Sequence, residues 1–193
     1  TPLTSLMILL ITVCNTANGI SNAIHDNDGT TNLWAGSNAD IIFNDRITGS
    51  GTINVNSSTT TLIANGKIIL NEDMSGYKGT VNLYNGEIEL QAKADDDNVN
   101  TNKLFGGAIN LESGTVNILN GAIDNISIST WTSAGNANLK FDVDLRDDTS
   151  DNFSVTYSAE GQLNLTAINI LGIDDEQESG EIILFKGDNI EVE

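Results

Sequence analysis

The chain has 193 residues, of which 27 are acidic and 8 are basic, so its net charge at pH 7 is -19. A negative charge of this size repels nucleic acids and anionic membranes, and we expect neither as a partner. Cys14 is the single cysteine, which excludes an intramolecular disulfide and a cysteine-based zinc site.

Residues 1–20 form an apolar segment that differs from the rest of the chain. Residues 3–13 read LTSLMILLITV and are followed by the small residues Ala17 and Gly19. This stretch is too short to span a bilayer as a helix and is typical of the apolar part of a secretory signal peptide. The alternative interpretation is a buried strand or helix that caps one end of the fold.

Residues 21–40 are polar and rich in turn formers, and they contain the only histidine, His25. No motif places a serine beside it, so we assign it no nucleophilic role. The stretch Asp26-Asn27-Asp28-Gly29 resembles the start of a calcium loop, but Ser37 stands where such a loop has a bidentate Glu. A simple turn is the favoured interpretation.

Residues 21–193 are expected to form one domain, because a short phrase recurs along them. The phrase is a glycine, any residue, an aliphatic residue, a residue that is usually polar, and another aliphatic residue. Glycine tolerates the positive φ of a turn, and the residues after it alternate between two faces as in a strand. Phrases begin at Gly51, Gly66, Gly79, Gly86, Gly107, Gly114, Gly161 and Gly180.

The spacing of these glycines predicts the architecture. Gly79 and Gly86 lie 7 residues apart, and Gly51, Gly79 and Gly107 are each 28 apart. A unit of seven accommodates one strand and a corner, so three units would close a coil of roughly 21 residues. The Asn-Gly pair that ends at Gly66 is typical of hairpins in an antiparallel sandwich, the alternative fold. The shared phase favours an all-β fold, a single right-handed parallel β-helix (β-solenoid), in which stacked asparagines hydrogen-bond between coils.

The segment FDVDL carries the strongest candidate for catalysis. Asp142 and Asp144 share one face of the predicted strand, and Lys140 and Arg146 follow the same alternation. Carboxylates beside a basic residue are what polysaccharide cleavage requires. Alternation alone also produces this pattern, as the outward polar face of an ordinary amphipathic strand. We favour that interpretation and assign no catalytic residue, no metal ligand and no cofactor.

Other residues suggest binding rather than catalysis. Trp34 and Trp131 are of the type that stacks on sugars, but a role in the core or in an end cap is favoured for both. The stretch from Thr59 to Thr61 is the only approach to the threonine array of an ice-binding surface. The acidic clusters are expected to be solvated loops with at most weak affinity for calcium. They comprise Asp95, Asp96 and Asp97; Asp147, Asp148 and Asp151; and Asp174, Asp175 and Glu176.

Three segments resemble the passenger domains of bacterial autotransporters. MSGYKGTVNLYNGEIEL (residues 74–90) is similar to the passenger-associated strand repeat, and IIFNDRITGSGTINVN (residues 41–56) is similar to its companion opening. Residues 139–171 are similar to a segment that family members carry late in the passenger. The resemblance covers residues 41–184 and implies a right-handed β-helix displayed outside the cell.

We therefore expect a non-enzymatic passenger at the bacterial cell surface or in the extracellular medium. It would serve as an adhesin-like rod or display scaffold, it would not itself be embedded in the membrane, and its expected partner is a host surface or a glycan. The alternative is a β-helix protein that cleaves polysaccharides or binds sugars.

Overall fold

A computed structural model describes most of the chain. In the described residues all regular structure is β, and no helix is present. Nearly all strand pairs are parallel, which identifies the fold as a β-solenoid and confirms the predicted fold class. The described residues are 8–13, 19–20, 24–26, 28–57, 64–91, 104–173, 182–187 and 190–192.

The coil has three sides, each built by strands that stack from one turn of the chain to the next. The first sheet stacks in the order β1 (Ile8–Val13), β3 (Thr30–Ala35), β6 (Thr52–Val55), β8 (Thr80–Leu83), β10 (Ala108–Leu111), β12 (Asn125–Ser133), β15 (Asn152–Gly161) and β17 (Phe185–Lys186), with β18 (Ile190–Val192) also on β15. The second sheet stacks in the order β4 (Asp40–Phe43), β7 (Lys67–Leu70), β9 (Glu87–Leu90), β11 (Gly114–Asn117), β13 (Ala137–Asp144) and β16 (Asn164–Gly172), with the short antiparallel strand β14 (Thr149–Ser150) on β13. The third sheet pairs β2 (Ile24–Asp26) with β5 (Ile47–Gly49).

The apolar N-terminal segment contributes to the first sheet. Its residues Ile8–Val13 form β1 and pair in parallel with β3. Of the structures considered for this segment, the strand is therefore the one observed. Its removal as a secretion signal stays a prediction, and Cys14 lies outside the described residues.

The core is a set of aliphatic columns. In the first sheet Ile53, Val81 and Ile109 lie in register on successive strands, and each is at most 2% exposed. In the second sheet Ile68 and Ile88 stack in the same way. β-branched side chains pack well on a pleated surface, so the alternate aliphatic residues of the phrase build the interior.

Aromatic residues fill the core near the C-terminal turns. Trp131 is buried and contacts Phe153 and Phe185, with ring centroids 4.8 and 5.2 Å apart. This confirms the prediction of a core role for Trp131.

The length of the coil varies. Equivalent asparagines are 22 residues apart between β3 and β6, but 28 apart between β6 and β8 and between β8 and β10. The predicted coil of roughly 21 residues, built from three units of seven, therefore matches the shorter coils, whereas the 28-residue coils are longer than predicted. The 28-residue spacing of the glycines is one whole coil, because Thr80 N donates to Gly51 O and Ala108 N donates to Gly79 O.

The Asn-Gly pairs turn corners of the coil instead of forming hairpins. Gly86 has a φ of +82°, and the strands on either side of it, β8 and β9, belong to different sheets. Asn85 supports the corner, since its Oδ1 accepts from Gly86 N at 2.8 Å. Glycine is favoured here because it adopts positive φ without steric cost.

Two stacked glycines are required by close approach of the backbone. A Cβ at Gly79 would lie 2.0 Å from Gly51 O, and a Cβ at Gly107 would lie 1.9 Å from Gly79 O. The stacking of one coil on the next therefore leaves no room for a side chain at these positions.

We predict that Gly107→Ala destabilises the protein by at least about 3 kcal/mol, since the clash is with backbone that is fixed by neighbouring coils. Gly36→Ala is the matched control, because the nearest atom to its Cβ would be 3.9 Å away. Chemical denaturation monitored by circular dichroism measures both. Equal stability of the two variants would contradict the prediction that Gly107 lies too close to the backbone of the neighbouring coil for a side chain.

Candidate functional site

The acidic strand β13 carries the residues that sequence reasoning singled out for catalysis. Asp142 is fully buried, and its Oδ2 accepts from the backbone N–H groups of Asn120 and Gly121, each at 2.9 Å. Asn169 on β16 donates to its other oxygen. Asp142 alternates with the core residues Phe141 and Val143, as predicted, but neighbouring residues cover it and it does not face solvent.

The two basic residues of the predicted constellation point to other partners. Lys140 Nζ lies 2.8 Å from Glu87 Oε2, on a strand two positions away in the second sheet. Arg146 Nη2 lies 2.6 Å from Asp144 Oδ2, and this hydrogen bond lowers the pKa of Asp144. Asp142 and Asp144 therefore share no basic residue, and the four side chains do not converge on one groove.

Asp151 joins Asp142 in a buried acidic cluster. It is 1% exposed, and its two oxygens accept from the backbone N–H of Asp124 at 2.7 Å and of Asp142 at 2.6 Å. Burial raises the pKa of Asp151 to about 8. The carboxyl groups of Asp142 and Asp151 thus accept hydrogen bonds from backbone amides, which is a structural role.

The proposed calcium ligands are separated by this arrangement. Asp147 and Asp148 are exposed on a turn, where Asp148 has a φ of +50°, whereas Asp151 is turned inward. In the described part of the chain no group of three or more His, Cys, Asp or Glu side chains is placed to hold a metal ion. Asp28 is exposed.

Several predicted positions lie outside the described residues. These are Asn27, the stretch from Thr59 to Thr61, and the clusters Asp95, Asp96 and Asp97 and Asp174, Asp175 and Glu176. His25 is described, and its Nδ1 lies 2.8 Å from Thr48 Oγ1 on the adjacent strand of the third sheet.

We predict that Asp151→Asn destabilises the protein by about 1–3 kcal/mol at pH 5, because the amide NH2 would face one of the two backbone N–H donors, whereas each oxygen of a protonated carboxyl group keeps a lone pair that accepts. The folded wild type keeps a proton on Asp151 up to a pKa of about 8, while the unfolded chain releases it near pH 4. The contribution of Asp151 to the free energy of unfolding therefore falls as the pH rises from about 4 to about 8.

The difference between the wild type and Asp151→Asn should accordingly shrink between pH 5 and pH 9 in urea denaturation. Asp147→Asn, on the exposed turn, is the control and should change stability by less than about 0.5 kcal/mol. A difference that is constant with pH would show that Asp151 does not titrate in this range.

The outer side of the second sheet carries an ionic network, which we call the ionic face (Lys67, Glu87, Glu89, Asn117 and Lys140). Lys67 Nζ lies 2.6 Å from Glu89 and 3.3 Å from Glu87, and Asn117 donates to Glu87 at 2.8 Å. The hydrogen bond that Lys67 donates to Glu89 raises the pKa of Lys67. Although burial opposes it, hydrogen bonds from Lys140 and Asn117 hold the pKa of Glu87 below its usual value. The charges on this face are thus matched with one another.

The outer side of the first sheet has a different character, and we call its outward residues on β3, β6, β8, β10 and β12 the amide face. Asn32, Asn54, Asn82 and Asn110 stack in one column. The Nδ2 atoms of Asn54, Asn82 and Asn110 each donate to the Oδ1 of the preceding asparagine at 2.9–3.0 Å. This ladder confirms the prediction that stacked asparagines hydrogen-bond between coils.

A second column of the amide face was missed by sequence reasoning. It consists of Thr30, Thr52, Thr80, Ala108 and Thr130, which are in register and half-buried. An ice-binding surface is expected to repeat Thr-x-Thr, whereas this face repeats Thr-x-Asn. The Thr-x-Asn pattern is visible in the sequence at residues 30–32, 52–54 and 80–82.

Trp34 lies at the edge of the amide face, so the prediction of a core or end-cap position for it was wrong. It is half-buried on the outer side of β3, and its indole Nε1 donates to Ser57 O at 3.1 Å. Tyr84, directly after β8, is also half-buried. These aromatic rings border the asparagine column.

We predict that Asn82→Ala lowers the free energy of unfolding by about 1–2 kcal/mol, because it removes two ladder hydrogen bonds. Asn136→Ala is the control, since Asn136 is exposed on a turn and its loss should cost less than about 0.5 kcal/mol. Thermal unfolding of both variants tests this. Equal melting temperatures would show that the ladder adds nothing to stability.

A comparison of the chain with models of protein families, with curated proteins and with solved structures finds no match. None of the described residues belongs to a helix long and apolar enough to cross a membrane.

Proposed function

We propose that this chain is part of a non-enzymatic, adhesin-like rod or display scaffold at the bacterial cell surface or in the extracellular medium. The observation that carries the proposal is that polar side chains of this chain are bonded to other groups of the protein. The catalytic candidate Asp142 is buried and accepts hydrogen bonds from backbone amides, and the second candidate, Asp144, is paired with Arg146. The exposed side of each main sheet is a regular array of mutually bonded side chains.

The resemblance to autotransporter passengers supports the same proposal. The solenoid runs through the segments that carry the resemblance, since β6 and β8 are strands of its first sheet and β9 and β13 are strands of its second. A stacked fold of this type presents extended surfaces instead of a single deep pocket.

Incubation of the purified protein with a panel of polysaccharides tests the absence of catalysis. We expect no release of reducing ends and no formation of unsaturated products. Asp142→Asn is the matched variant, because it removes the charge of the strongest catalytic candidate. Cleavage that Asp142→Asn abolishes would overturn the proposal in favour of a polysaccharide-cleaving enzyme.

The proposed location is tested on intact cells of the source organism. Antibodies against the chain should label unpermeabilised cells or detect the chain in the medium, and external protease should remove the surface signal. Labelling that requires permeabilisation would contradict a surface or extracellular location.

The alternative of a sugar-binding protein is favoured by one observation, the amide face with its two bordering aromatic rings. Amide groups and aromatic rings are the groups that recognise sugar hydroxyls and sugar ring faces. This alternative is compatible with an adhesin-like rod, since it specifies what such a rod would bind.

A further inference from the structure

We propose that the amide face binds a neutral, extended, β-linked polysaccharide that lies along the axis of the solenoid. The proposal rests on the proposed function, because it names the ligand class of a non-enzymatic rod. Three features of the amide face support it: its lack of charge, its regular spacing, and the two aromatic residues beside it.

The charge of the face differs from that of the rest of the molecule. The outward residues of β3, β6, β8 and β10 include no ionisable side chain, in a chain with 27 acidic and 8 basic residues. The ionic face, built from the same coils, carries Lys67, Glu87, Glu89 and Lys140. A strip of neutral hydroxyl and amide groups complements a neutral polyol and offers an acidic polymer no cationic partner.

Those outward residues are Thr30, Asn32, Trp34, Thr52, Asn54, Thr80, Asn82, Ala108 and Asn110.

The asparagine column supplies a regular set of hydrogen-bonding groups. The two central asparagines, Asn54 and Asn82, each use one N–H and one oxygen lone pair for their neighbours in the ladder. A side-chain amide has two N–H donors and two lone pairs, so one of each is left to face outward. Because the ladder fixes the orientation of every amide, binding costs little side-chain entropy.

The spacing of the face matches a polymer with a two-residue repeat. Adjacent rungs of a parallel sheet are about 4.8 Å apart, so two rungs span about 10 Å. That is close to the length of one disaccharide in a flat, β-1,4-linked chain. A glycan lying along the axis would therefore meet an equivalent set of groups at every second rung.

Trp34 and Tyr84 are two rungs apart at the border of this face. The backbone ladder continues past the strands there, since Asn56 N donates to Leu33 O and Tyr84 N donates to Val55 O. Between them, Asn56 turns inward and binds the backbone of Ala35, Gly66 and Asn85. Trp34 and Tyr84 therefore occupy positions two rungs apart on the same side of the strip, and the indole of Trp34 is held in place by Ser57. Glu112 takes the equivalent position on the rung after Tyr84, since its N–H donates to Leu83 O, so the neutral strip is limited to the residues within the strands.

The test is co-sedimentation of the purified protein with insoluble cellulose and with insoluble chitin. Thr80→Lys places a charge in the centre of the amide face, and Thr115→Lys places the same charge on β11 of the second sheet as the matched control. We expect the wild type to sediment with at least one of the two solids. Thr80→Lys should weaken binding about tenfold or more, while Thr115→Lys should leave it unchanged.

Trp34→Ala is the second variant and should weaken binding without adding charge. Thermal unfolding identifies any variant that has lost its fold. Equal loss of binding in Thr80→Lys and Thr115→Lys would overturn the assignment of the face, and no sedimentation of the wild type with either solid would overturn the ligand class. Inhibition of ice recrystallisation without glycan binding would also overturn it in favour of ice. Release of soluble sugar during the assay would instead overturn the non-enzymatic function, so the two failures are distinct.

Discussion

From β3 to β12 each strand of the first sheet lies directly on an equivalent strand, and the parallel hydrogen bonds between them hold the two in register. A side chain therefore meets the side chain at the same position one coil away. Such a column is stable only where a residue packs against, or hydrogen-bonds to, a residue of the same type. Aliphatic residues do so in the core, and asparagines do so outside because an amide is both donor and acceptor. Glycines do so where the backbones come too close for a Cβ, as at Gly79 and Gly107.

Charged residues do not satisfy this condition, and the structure treats them in two ways. On the second sheet, Lys67 and Lys140 lie on either side of Glu87, so that opposite charges are neighbours. On β13 and beside it, Asp142 and Asp151 are buried against backbone amides. The two groups respond to pH in opposite directions. The lowered pKa of Glu87 adds stability above its usual range, while the raised pKa of Asp151 removes stability as the pH rises towards about 8.

The fold was predictable from sequence because the strand phrase specifies both an interior column and a corner. The asparagine ladder followed from the polar position of the phrase. The coil length did not follow, since the extra residues lie in the connection from β6 to β7 in one coil and from β9 to β10 in the next, and no phrase marks them. The burial of Asp142 was also not predictable, because alternation along β13 cannot reveal which distant segment covers the strand. The amide face was visible in part as Thr-x-Asn, but its neutrality is apparent only when five strands are placed side by side.

The unequal coils have a consequence for how such a protein can change. Coils of 22 and 28 residues carry rungs that align equally well, so the pairing of strands, and not the count of residues, decides what stacks on what. Insertions and deletions in the connections between strands can therefore occur without disturbing the hydrogen bonds between rungs. Such a scaffold can gain or lose residues, or receive a grafted peptide, in the connections between strands while its faces keep the same geometry.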